Sequence, residues 1–209
     1  MTKFMVKRWQ KIILSWLLIL LIVVVCGIIY VVRDARSAVE HYRAAVHTQY
    51  GEVVSGKTVN QVVELRNVDL ARLPLVNKLV RGYISMDRLQ PVYRNLISDV
   101  QKFNKANKLY TDWTSDFNKG LLKDDTLNGK FVSKMEEVIS SVDSLPNNNS
   151  TCLNTIYKFR DKITSSIKFK DVSKLGDAAS SCNYQSINNA RNYINKEKTE
   201  FQRQFEAIR

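Results

Sequence analysis

From Ile12 to Val32 the chain reads IILSWLLILLIVVVCGIIYVV, 21 positions without a charge. At about 1.5 Å per residue a helix of this length reaches roughly 30 Å, the depth of a bilayer's hydrocarbon layer. Only a helix or a closed barrel satisfies its own backbone polar groups there, so residues 12–32 are predicted to be a transmembrane helix. Val39, Tyr42, Val46 and Tyr50 then continue an apolar stripe at helical spacing, and Ser55-Gly56 offers a break. The pattern predicts one helix from about residue 5 to 54, with residues 33–56 as a membrane-proximal stalk.

Beyond the stalk the period stays helical. Thr58 and Gln61 have the spacing of a capping box before Val62, Val63 and Leu65. Pro74 and Pro91 are placed where helices kink or restart. Leu89, Tyr93, Leu96, Val100, Phe103, Asn107, Tyr110, Thr114 and Phe117 alternate spacings of four and three. That is a heptad seam with polar breaks at Asn107 and Thr114, and Gly120 follows as a C-terminal cap. A further helix is expected over about 125–144, facing Leu127, Phe131, Met135, Val138, Val142 and Leu145. Another begins near Ser150 or Thr151, with Leu153, Ile156, Ile163 and Ile167 on its face and Phe159 beside them. Residues 170–183 are ambiguous, with Val172, Leu175 and Ala178 allowing a short helix. The last helix is expected from Tyr184 to Ile208.

No alternating strand pattern of useful length competes, and Pro (3) and Gly (7) are scarce. The fold class expected is all-α: a single N-terminal transmembrane helix followed by an antiparallel helical-bundle ectodomain over residues 57–209.

Charge sets the orientation. Residues 1–11 carry Lys3, Lys7, Arg8 and Lys11 and no acid, whereas Arg33, Arg36 and Arg43 follow the span diluted by Asp34 and Glu40. The bias favours a cytoplasmic N-terminal tail over residues 1–11 and an extracytoplasmic C-terminal domain, single-pass in the plasma membrane. A cleaved signal peptide is the rival, but its apolar region is normally 7–15 residues long and ends in small residues. Cys26-Gly27 offers a lipoprotein site, with Val25 where a small residue is expected.

Three cysteines are present. Cys26 lies in the span as a small apolar residue. Cys152 and Cys182 are the pair beyond it, expected to form a disulfide in an oxidising compartment; two separate buried thiols are the alternative.

The chemistry-bearing motifs are few. His41 and His47 are six apart on one helix and diverge, and neither HExxH, P-loop, GxGxxG nor GxSxG occurs. Asp124-Asp125 fits charge stabilisation at a helix start. No enzyme activity, cofactor or metal is expected. The 28 basic and 20 acidic residues after the span leave that part at +8. Lys158, Arg160, Lys162, Lys168, Lys170 and Lys174 concentrate basic charge, as a solvated face or as contacts to anionic lipid or a wall polymer. Nucleic acid is disfavoured by the outside placement. Asn148 and Asn149 each begin an N-x-S/T triplet, an acceptor for glycosylation in a eukaryote.

The segment Leu73-Pro74-Leu75-Val76-Asn77-Lys78-Leu79-Val80-Arg81-Gly82-Tyr83-Ile84-Ser85 resembles the LemA family, whose segment reads approximately IPNLVETVKGYAS. Pro74, Val80, Gly82, Tyr83 and Ser85 match; Leu75 and Met86-Asp87 depart from the pattern. The short anchor followed by long helices is similar too. The resemblance implies a helical, membrane-attached envelope protein, and it carries over no catalytic residue.

Three functions follow as expectations. The first is a non-enzymatic, membrane-anchored scaffold or adaptor that binds another envelope protein, or itself, through the seam from Leu89 to Phe117. The second is an extracytoplasmic ligand-sensing bundle that signals through a separate partner. The third is attachment to envelope polyanions or anionic lipid.

Overall fold

The computed structural model describes residues 2–118, 125–163 and 169–208, without side chains for some of them. All regular structure among these is helical, and no strand occurs among the described residues. The elements are α1 (Thr2–Val54), a 3-10 turn (Asp69–Arg72), α2 (Pro74–Asn77), α3 (Arg81–Asn118), α4 (Asp125–Asp143), α5 (Ser150–Ile163) and α6 (Phe169–Ala207). The expected cap at Gly120 lies outside the described residues.

α1 runs unbroken for 53 residues. Trp9 and residues 11–27 are exposed, and the stretch is long and apolar enough to cross a membrane. The helix ends at Gly56, whose φ of +91° is the left-handed conformation that glycine adopts without a Cβ clash. The Gly56 N–H donates to the Val53 carbonyl and the Lys57 N–H to the Glu52 carbonyl, both at 3.0 Å. These two bonds form a Schellman cap, so the break expected at Ser55-Gly56 is realised.

The residues divide into two compact units. The first comprises Met1–Thr48, Val63–Gln90 and Phe205–Arg209; the second comprises Gln49–Val62 and Pro91–Gln204. This cuts across the division into a 33–56 stalk and a 57–209 domain. Residues 33–48 are no bare stalk, because Ala35, Ala38, Tyr42 and Val46 are buried within the first unit. The buried stripe therefore uses two alanines, while Val39 and Tyr50 are only half-buried. Small side chains at helical spacing allow close approach, and a search for large apolar residues passes over them.

The expected helix after Thr58 does not form. Residues 57–68 run without helix. Their β-branched Thr58, Val59, Val62 and Val63 are poor helix formers. Side chains of neighbouring helices occupy the backbone groups that a helix would have paired. In the second unit Gln49 Nε2 donates to the Gln61 carbonyl and Gln101 Nε2 to the Val59 carbonyl, each at 2.9 Å. In the first unit the Leu65 N–H donates to Gln90 Oε1 at 3.2 Å. Pro74 starts α2 at its first position, where its missing N–H costs nothing. Pro91 does not interrupt α3: it is exposed, and the helix continues through it.

In the second unit, Ala106 and Trp113 of α3, Met135, Val138, Ile139 and Val142 of α4, Leu153 and Ile156 of α5, and Leu175, Ala179, Cys182, Ile187 and Ala190 of α6 share one buried cluster. α4 ends at Asp143, just ahead of Pro146 and of Asn147, which stands at φ +55°. The cap of α5 is neither Ser150 nor Thr151. Asn149 Oδ1 accepts the Cys152 N–H at 3.2 Å, so the helix is capped one residue earlier.

The ambiguous residues 170–183 belong to α6, which is continuous for 39 residues. Gly176 is its weak point, and a close contact favours glycine there. A Cβ on Gly176 would lie 2.5 Å from Cε2 of Phe117. Leu175 is buried, whereas Ala178 is exposed and Ala179 takes the inward position.

Candidate functional site

The first unit holds a groove built by two elements. α1 contributes Ala35, Arg36, Val39, Glu40 and Arg43; the turn into α3 contributes residues 79–83. Its cavity is about 360 Å³. A second depression of about 570 Å³ shares Arg36, Glu40 and Leu79 with it and adds Ile28, Ile29, Val32, Arg33 and Ser37. The two form a continuous surface that passes from apolar side chains to arginines along α1. Leu79 remains 55% exposed on it.

The arginines are unequal. Arg43 is half-buried: it donates to the Ile208 carbonyl and its guanidinium lies 5.7 Å over the Phe205 ring. Arg33, Arg36 and Arg81 are exposed and make no ion pair among the described residues. Glu40 is the one acid lining either depression. Asp34, on another face, is engaged by Arg66 at 2.5 Å. The hydrogen bond from that carboxylate, then its charge, raises the Arg66 pKa above its ordinary value.

Tyr83 fixes the wall of the groove opposite α1. Its buried phenol accepts the Val68 N–H at 2.8 Å and donates to the Arg66 carbonyl at 3.1 Å. Val76 and Val80 are buried beside it in sequence, so the stretch from Leu73 to Ser85 owes part of its pattern to packing.

Other candidate residues are placed as follows. Cys152 and Cys182 are joined at disulfide distance with Cα atoms 5.8 Å apart. The bond ties the start of α5 to the middle of α6, not to a loop, because α6 has no break at 183. Leu89, Tyr93, Leu96 and Val100 of the seam are buried within the chain itself; Phe103, Asn107, Tyr110, Thr114 and Phe117 are half-buried. The Tyr93 ring lies 5.4 Å from Phe201, and its hydroxyl donates to Gln49 Oε1 at 3.2 Å. Phe117 stacks on Trp113 at 5.7 Å.

Lys158 and Lys174 are exposed, 16 residues apart in sequence on different helices. Lys168 lies outside the described residues, and so do the side chains of Arg160, Lys162 and Lys170. Asp124 also lies outside them, with the side chain of Asp125. His41 is exposed, and His47 meets Phe205 edge-on at 5.7 Å. Asn149 is half-buried as the α5 cap, its N–H donating to Ser186 Oγ at 3.1 Å. No group of three metal-ligating side chains occurs among the described residues.

Sequence reasoning passed over the groove. Its residues lie far apart in the chain, and nothing in the periodicity of α1 marks Arg36 and Glu40 as neighbours of Leu79 and Arg81. Comparison with protein-family models, curated proteins and solved structures finds no match for this chain.

Proposed function

We propose that this chain is a non-enzymatic, single-pass membrane protein whose C-terminal helices stand outside the plasma membrane as a scaffold for another envelope protein. The observation that carries the reading is α1. Its stretch from Lys11 to Gly27 is exposed along its whole length, and a continuous face of Ile, Leu and Val at that exposure is unfavourable in water. Hydrocarbon removes that cost.

Two further features support it. The basic tail before the span favours the inside. The cysteine pair at bonding distance suits an oxidising compartment. The remaining helices are read as an antiparallel bundle, and the resemblance of Leu73 to Ser85 to the LemA family agrees with such a layout.

The scaffold role needs a surface that the chain does not use itself. The first half of the seam is taken up by the chain's own core. Val92 and Tyr184, exposed large side chains outside the apolar helix, are the better positions to probe. A photo-crosslinking residue placed at each in native membranes is expected to capture one discrete neighbouring protein. Capture of lipid alone, or of nothing, at both positions argues against the scaffold role.

A further inference from the structure

We propose that the groove between α1 and the turn into α3 is a binding site for an anionic phospholipid of the outer leaflet. This rests on the membrane-anchored reading of α1 and assigns its neighbouring surface a ligand.

The geometry supplies both halves of such a ligand. The lower depression is walled by Ile28, Ile29, Val32 and Leu79; the upper one by Arg36, Arg43 and Arg81. From Ile28 to Arg36 the helix rises about 12 Å. The hydrocarbon edge falls near Val32, and the headgroup layer on each side is roughly 5–8 Å deep. Arg33 and Arg36 therefore stand at the level of lipid phosphates, whereas Arg43 lies about 16 Å past Val32, above that layer. Leu79 lines the depression with Ile28, Ile29 and Val32, where acyl chains begin. Leu79 is more than half exposed although it adjoins the apolar depression. An acyl chain lying against Ile29 and Val32 would cover it.

Charge selects among lipids. Counting Arg33, four arginines line the two depressions against Glu40 alone. Arg36 and Arg81 make no ion pair among the described residues. Guanidinium groups bind phosphate oxygens with two parallel N–H bonds, which an ammonium cannot do. A zwitterionic headgroup would bring its own cation beside these arginines, so the site prefers a headgroup of net negative charge.

The test uses the full chain in detergent micelles, stripped of copurifying lipid, and reads retained lipid by native mass spectrometry. Phosphatidylglycerol and phosphatidylcholine of equal chain length compete at equal concentration. The site predicts a phosphatidylglycerol preference of about tenfold or more, and a loss of about fivefold with each of Arg36→Gln and Arg81→Gln. Glu40→Gln is expected to raise the preference. The pair Lys158→Gln and Lys174→Gln is the control for charge lost elsewhere and is expected to leave it unchanged. Helix content by circular dichroism verifies that each variant is folded.

Equal retention of the two lipids overturns the proposal, as does a preference that survives loss of both arginines. A preference abolished by the lysine control also overturns it, because the charge then acts from another place. Flotation with vesicles separates this from the anchor reading. A chain that floats but shows no preference keeps its anchor and loses the site; a chain that does not float loses both.

Discussion

The hydroxyl of Tyr83 accepts the backbone N–H of Val68 at 2.8 Å, across 15 residues of sequence. It also donates to the Arg66 carbonyl at 3.1 Å, so one side chain satisfies two backbone groups of a segment that forms no helix of its own. The glutamine bonds at Leu65, Gln61 and Val59 follow the same pattern. Residues 57–68 are held by side chains in place of a backbone ladder.

Tyr83→Phe keeps the ring and removes that partner. The buried Val68 N–H is left unsatisfied, at a cost of about 1–3 kcal/mol. Hydrogen exchange across residues 64–69 should quicken about tenfold or more, while exchange in α4 stays as it was. Unchanged exchange would mean that the segment is held by something other than Tyr83.

The bond between Cys152 and Cys182 closes a separation of 30 residues. In the chain-entropy account this contributes about 3–4 kcal/mol. Alkylation of the denatured, unreduced chain should label Cys26 alone. Replacing both distal cysteines by serine should lower the unfolding midpoint of α5 and α6. Two labelled distal thiols in protein taken directly from its membrane would show that the bond is absent there.

Gly176→Ala is ordinarily stabilising in a helix, by up to about 1 kcal/mol. Here the new Cβ would meet the Phe117 ring, which is stacked on Trp113. Overpacking of this kind costs about 1–3 kcal/mol, so a net loss of about 1 kcal/mol is expected. Adding Phe117→Leu to Gly176→Ala should recover part of it in a double-mutant cycle. A Gly176→Ala variant with a higher melting midpoint than the parent would contradict the contact.

Glu200 receives hydrogen bonds from Arg203 and Gln204, which hold its carboxyl down to about 2. A carboxyl with a depressed folded pKa contributes stability above its unfolded pKa, and the contribution is lost as pH falls from the ordinary carboxylate range towards 2. The pair is exposed, so the effect on global stability is small. A carbon-13 titration should place Glu200 below the ordinary carboxylate range, and Arg203→Gln should move it up. A Glu200 that titrates within the ordinary range would show that the ion pair does not persist in solution.

The sequence made the helices legible where large apolar residues repeat with few interruptions. Met135, Val138, Val142 and Leu145 are buried as their spacing implied, and so are Ile187, Ala190 and Ile194. It was misleading where side-chain chemistry competes with local signals. Thr58 and Gln61 have capping spacing, but Gln49 and Gln101 bind carbonyls of that stretch, which forms no helix. Pro91 has the look of a stop, yet an exposed position in α3 tolerates it. α6 runs on across Gly176, where a Cβ would meet the ring of Phe117, about 60 residues away in sequence, so the glycine marks a contact and not a helix end. The groove was least legible, because it joins Arg36 and Glu40 to Leu79 and Arg81 with no shared motif.

Trypsin applied to right-side-out membrane vesicles tests the central claim most directly. The exposed Lys57 follows α1 in a segment without helix. Cleavage there should leave a fragment ending at residue 57 that stays with the membrane through a urea wash, which separates it from the helices beyond, because residues 63–90 and 205–209 pack in one unit with α1. A chain that stays whole until detergent is added, or that never sediments with the vesicles, would contradict the account.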